Sequence, residues 1–211
     1  MPLISYESRV MPGWCEMTHY EIVRLKPGDT HTFAPIGPKE KLIVGEGRCR
    51  IAYGGKAADA EQGANLDLTR AGAHFEVTAV HEDSVLVRMA GHWGDELGGS
   101  GVFISGKSSA PEDRGDPVDY AKETDFDNHY HDCDEYWILW AGRGTVVSEG
   151  KFYEVGPGDC VATGMGHHHD FPVIAEPVKA VYFETTLQGR KRRGHLWNHT
   201  HGPAQPQMDR V

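Results

Sequence analysis

Two histidines one residue apart, a glutamate four residues on, and a further histidine behind a glycine-rich turn constrain this chain most. They stand in Asp127–Gly144, DNHYHDCDEYWILWAGRG, and in Gly156–Phe171, GPGDCVATGMGHHHDF. Side chains alternate across a strand, so His129 and His131 face one side and Tyr130 the other. The loop Asp132-Cys133-Asp134 turns the chain, and Glu135 opens the next strand. With Glu135 inward, Trp137 and Leu139 follow it, and Tyr136, Ile138 and Trp140 point out. Such a strand is apolar on both sides and needs two covers, a second sheet on one and a partner barrel or another subunit on the other. His169 supplies a third imidazole. Three neutral imidazoles and one carboxylate suit a divalent transition metal (Mn, Fe, Ni or Zn) and leave about two octahedral positions for water or substrate. A lone histidine in a strand is usually a surface residue, whereas this combination points to a metal site. Alternation lets His167 share a side with His169, and Cys133 reads as a small loop residue.

The rest of the chain bounds the answer. Its 211 residues allow one large domain or two small ones. Glycine is frequent, Val, Thr and aromatic residues recur in short runs, and no long stretch has helical periodicity, which favours an all-β fold. The formal charge of −10 argues against nucleic acid or an anionic membrane as partner, since both need a basic face. The start, MPLISYESRVMPGW, lacks the apolar core of a secretory signal, and no apolar run is long enough to cross a bilayer, so the expected place is the cytoplasm. Cys15, Cys49, Cys133 and Cys160 form no C-x-x-C pair and are expected to remain thiols there.

Along the chain, residues 1–20 are expected to form an arm or first edge strand. YEIVRLKPGDTHTF alternates like a half-buried strand up to the turn at Pro27-Gly28-Asp29, and EKLIVGEGRCRIAYGG gives two strands around Gly45-Glu46-Gly47. KAADAEQGANLD reads as a loop. LTRAGAHFEVTAV and SVLVRMAGHW supply further strands. A connection runs from about Gly98 to Pro117, with a short strand at Val102–Ile104 inside it. The second half then repeats the first in outline. Glu40 and Glu135 each stand seven residues before a glycine, Gly47 and Gly142, each followed by arginine, Arg48 and Arg143. Arg70-Ala71-Gly72 falls where Gly156-Pro157-Gly158 falls later. This pattern predicts an internal duplication with halves at 1–100 and 101–211.

The run His129-x-His131-x3-Glu135-x6-Gly142 is similar to the first motif of the cupins, and Gly158-x5-Gly164-x-Gly166-x2-His169 resembles the second. The match covers most of residues 120–185 and echoes over 20–95, so the whole resembles a bicupin. The resemblance implies two antiparallel jelly-roll barrels, with His129, His131, Glu135 and His169 as metal ligands in the second. Three positions depart from the family: Glu123 and Gly164 replace a glycine and a proline, and Val173 an asparagine. In the first half, Ala34-Pro35-Ile36 occupies the place of the two histidines, His31 reaches it only with a gap, and His81-Glu82-Asp83 stands near the last ligand's counterpart. That barrel is expected to bind no metal, against the alternative of a site from His31, Glu40, His74 and His81.

The basic tail from Gln188, with Arg190, Arg192 and Arg193, is read as a solvated turn followed by an arm packing Leu196 and Trp197 on a neighbour. The alternative places it over the barrel mouth, where it would receive an anionic substrate. His195, His199 and His201 alternate and could bind adventitious metal. The expected function is Lewis-acid enzymology on a small sugar or organic acid: isomerase, epimerase, decarboxylase or lyase chemistry. His167, Tyr182 and Glu184 are the candidate catalytic groups, with Trp137, Leu139 and Phe171 around the substrate. An iron dioxygenase and a non-catalytic sensor are the alternatives. The expected assembly is a homodimer.

Overall fold

The structure is a computed structural model that describes residues 3–68, 74–108 and 114–211. It divides into two compact units, Glu16–Trp93 and Met1–Cys15 with Gly94–Val211. Set beside the expected halves at 1–100 and 101–211, the first fifteen residues belong with the later unit. Their strand β1 (Leu3–Ile4) pairs there with β13 (Cys160–Thr163).

The earlier unit is two antiparallel four-stranded sheets. One runs β2 (Met17–Leu25), β9 (Ser84–Gly91), β4 (Lys39–Glu46), β7 (Asn65–Leu68), and the other β3 (Thr30–Phe33), β8 (Phe75–Ala79), β5 (Arg48–Tyr53), β6 (Lys56–Glu61). Between them lies a core of Leu25, Phe33, Leu42, Val44, Cys49, Phe75, Val77 and Leu86. Lys56–Asp67, expected as a loop, holds β6 and β7. No apolar alternation announces β6, an exposed edge strand held by its ladder to β5, and β7 alternates over only four residues.

The later unit follows the same plan with its sheets fused. Its order is β10 (Ser100–Ser105), β14 (His169–Glu184), β11 (Glu135–Ser148), β13, β1, with β12 (Lys151–Val155) on β11. Thus β10-β14-β11-β13 repeats β2-β9-β4-β7, in agreement with the expected duplication. Fusion is possible because β11 and β14 run through both layers and bend at irregular register positions between Leu139 and Val147. Gly47 and Gly142 mark the same bend in the two units, at φ 81° and 84°, where a Cβ would lie 2.3 Å from Asp83 O and 2.2 Å from Pro177 O. Only glycine fits both demands. Arg70-Ala71-Gly72 lies outside the described residues. The strand expected at Val102–Ile104 is the centre of β10.

Alternation along β11 is as expected. Trp137 and Leu139 enter the core with Val146, Val161, Phe171, Ile174 and Val178. Tyr136, Ile138 and Trp140, on the other side, are 0%, 0% and 1% exposed. Both sides of β11 are therefore covered, as expected of a strand that needs a second sheet on one side and a partner barrel or another subunit on the other.

Candidate metal centre

The second unit brings its four expected ligands to one point. His129 and His131 lie on the segment before β11 and are tied in by single bridges, His129 to His169 and Tyr130 to Leu196. Glu135 opens β11 opposite Glu184, and His169 opens β14. All four are at least 95% buried. His169 Nε2 lies 2.8 Å from Glu135 Oε2, and His129 Nε2 lies 3.0 Å from His131 Nε2. His131 Nε2 is 3.4 Å from the same Glu135 oxygen.

The outer nitrogens explain this convergence. Nδ1 of His129 donates to Asp127 O at 2.8 Å, Nδ1 of His131 to Gly194 O at 2.9 Å, and Nδ1 of His169 to His167 O at 3.0 Å. A carbonyl can only accept, so each ring carries its proton on Nδ1 and turns a bare Nε2 inward. Two bare nitrogens 3.0 Å apart repel unless a proton or a metal ion lies between them. Electrostatics point the same way. Burial, with His169 and His131 nearby, depresses the His129 pKa well below its ordinary value. For His131, burial opposes protonation but Glu135 outweighs it and the value rises. Burial would raise Glu135, yet His131 and His169 hold it well below the carboxylate range. These shifts favour a positive charge beside the Glu135 carboxylate, which a divalent cation would supply. The donor set fits such an ion, and His129, His131, Glu135 and His169 can hold it.

The centre forms one wall of a cavity of about 410 Å³ lined by Phe103, Phe126, His129, Glu135, Trp137, Tyr182, Glu184, Arg193 and His195, with Gly98, Gly99 and Gly194.

No family model matches the chain. It is 48% identical over 201 residues to the uncharacterised protein y4oW of Sinorhizobium fredii, covering 95% of this chain and 92% of that one. The chain belongs to the y4oW family. Its fold resembles Ylba of E. coli, with a TM-score of 0.54 at 14% identity over 81% of this chain and 77% of that one. A deletion mutant of the oxalate decarboxylase OxdC of Bacillus subtilis gives 0.54 at 12% identity over 80% and 68%. These likenesses show the fold alone, antiparallel β-structure of the cupin-barrel kind.

Of the other expected site residues, Tyr182, Glu184 and Trp137 line the cavity. Leu139 and Phe171, 0% exposed, stand behind its wall in the core. His167 is turned away. It lies in the turn before β14, where strand alternation does not extend, and its Nε2 contacts Gln207 O at 2.9 Å while Nδ1 is 3.7 Å from Glu149. Sequence reasoning missed Phe103, Phe126 and the pair Gly98-Gly99. The glycines admit Glu184: Gly99 N donates to it at 2.6 Å, and a Cβ on Gly98 would meet it at 2.4 Å.

The tail corrects its expected role. Leu196 is 1% exposed within its own chain, exchanging backbone hydrogen bonds with Tyr130, and Trp197 Nε1 donates to Asp127 at 2.7 Å. Arg192 grips Asp132 through backbone and guanidinium, and Asp116 takes His168, His199 and the Asn198 amide. These anchors bring residues 193–195 to the cavity, where the His195 ring stacks on His129 at 3.7 Å, 6° from parallel.

The first unit has a different filling. Phe33 pairs with Phe75 as His129 pairs with His169, and Arg88 stands opposite Leu42 as Tyr182 stands opposite Trp137. The two rings stack at 4.6 Å, and the Arg88 guanidinium lies 5.1 and 5.5 Å from them. Its Nε donates at 2.9 Å to Glu40, the counterpart of Glu135. The cation here is a side chain. Among the described residues no metal-binding group includes His31, Glu40, His74 or His81.

Proposed function

We propose that this protein is a metal-dependent enzyme acting on a small oxygenated metabolite, by isomerase, epimerase, decarboxylase or lyase chemistry. The observation that carries the reading is the convergence of three bare imidazole nitrogens and one carboxylate on a cavity large enough for such a molecule. A bound Mn, Fe, Ni or Zn ion would supply Lewis-acid polarisation of a substrate oxygen. The chain supplies the proton chemistry. Glu184 is 4% exposed, and with Oε2 held by the Gly99 amide it keeps Oε1 to accept a proton from substrate. Tyr182 beside it is pushed upward by burial and by Glu184 and Glu135, so its hydroxyl stays protonated and donates. Phe103, Phe126 and Trp137 give the same cavity an apolar lining.

That aromatic wall also suits an iron dioxygenase, the second reading. Reconstitution with Mn, Zn or Fe(II), followed by turnover screens in an oxygen electrode, separates them. Turnover without oxygen uptake is expected; Fe(II)-dependent oxygen consumption would overturn the first reading in favour of the second. Homodimerisation belongs to the proposal through apolar side chains such as Ile104 and Phe152, 58% and 54% exposed. A monomer by light scattering at micromolar concentration would remove it.

A further inference from the structure

The cavity's polar rim tells more about its ligand than the metal ligands do. Four basic residues follow one another at 190–193. Three are engaged: Arg190 donates to His201 O, Lys191 pairs with Glu96 at 2.6 Å, and Arg192 holds Asp132. Arg193 is exposed and acts on Glu96 only through its charge, without a hydrogen bond or close ion pair to a described residue, and it alone of the four lines the metal-site cavity. The turn is not free to withdraw it. Arg192 on one side is clamped to Asp132, and on the other Gly194 O receives His131 while His195 donates from Nδ1 to Asp127 at 2.9 Å.

We propose that Arg193 binds the carboxylate of the substrate, and that the substrate is a small hydroxy- or keto-acid with an apolar body. A guanidinium presents paired N–H donors that match a carboxylate. A charge count supports a monoanion: a divalent ion and Arg193 give +3, Glu135 and Glu184 remove two, and one positive charge remains. Phe103, Phe126 and Trp137, whose ring centroids lie 5.4 to 5.6 Å apart, form an apolar face for the body of the ligand. A volume of about 410 Å³ suits an acid carrying one ring or a branched chain better than a long one.

This inference rests on the metal reading for the hydroxyl or carbonyl end only, so the two can fail separately. The test is calorimetric titration of metal-loaded protein with mandelate, phenylpyruvate and the neutral mandelamide, beside R193Q and with metal content measured on each sample. Saturable binding of at least one acid is expected, with mandelamide weaker and R193Q losing about 10- to 100-fold for the acid and little for the amide. R193Q should retain the wild-type metal content. Equal affinity of R193Q and wild type for the acids, equal affinity of wild type for acid and amide, or no binding of either acid would overturn the proposal. Acid binding that depends on Arg193 in a protein that takes up no metal would sustain the carboxylate site and reject the metal reading.

Discussion

Replacing Arg88 by methionine tests the part its guanidinium plays beside Glu40 in the first unit. The change keeps an apolar stem against Phe33 and Phe75 but leaves the Glu40 carboxylate, 5% exposed, without its cation. Removing one partner of a buried ion pair costs about 3–5 kcal/mol. Two backbone amides remain on Glu40, Ile36 N at 2.6 Å and Gly37 N at 3.2 Å, which places the loss near the lower end. For a unit this size, a loss of ~3 kcal/mol lowers the midpoint by roughly 12 °C or more. R88M/E40Q removes the stranded charge while keeping an acceptor for both amides, and is expected to recover about 1–3 kcal/mol of the loss. Thermal melts of the whole protein, read with hydrogen exchange at β4 and β9, give both numbers. A single variant within ~0.5 kcal/mol of wild type, or a double variant no better than the single, would refute the idea that the Arg88 guanidinium is the cation that holds Glu40.

Three further outcomes follow from the second barrel. Leu139→Ala, in the core behind the cavity, should cost about 2–5 kcal/mol in chemical denaturation while metal content is kept; loss of metal with unchanged stability would contradict its placement. Asp132→Ala frees the Arg192 clamp, loosens the carbonyl of Gly194 on His131, and should weaken metal affinity about 10- to 100-fold in competition with a chelator; unchanged affinity would show that the tail does not orient the ligand. Burial would raise the Asp116 carboxyl, but its hydrogen bonds to Asn198, His168 and His199 win and hold it below the usual range. A depressed folded value means stability present above the ordinary carboxylate pKa of about 3.9 and lost as pH falls through the folded one. Exchange protection at residues 198–201 should therefore hold down to about pH 4 and fall away only as pH drops further, through the lower folded value; protection already lost well above about pH 4 would contradict this anchor.

The metal ligands were legible because ligation needs a local spacing: His129 and His131 share a side only two apart, and Glu135 needs the short turn between. The duplication was legible from Glu40 and Glu135 and from the glycines after them, whose positive φ no other residue adopts cheaply. What stayed hidden was built from distant or patternless segments. Strand β6 carries no apolar alternation, β7 alternates over only four residues, and Phe103 sits in a stretch that composition marks as a connection. His167 looked inward because strand alternation was extended into a turn. The place of residues 193–195 depends on Asp132, Asp127 and Asp116, acids far away in sequence. Arg88 in the apolar run SVLVRMAG was the one available sign that Glu40 had found a different cation.

Metal content tests the central claim most directly. Mass spectrometry on untagged protein, beside a His129→Ala/His131→Ala double variant of matched folding by circular dichroism, should find about one equivalent of Mn, Fe, Ni or Zn in the first and almost none in the second. No metal in the wild type after reconstitution with each of the four ions, or equal metal in both proteins, would contradict the account.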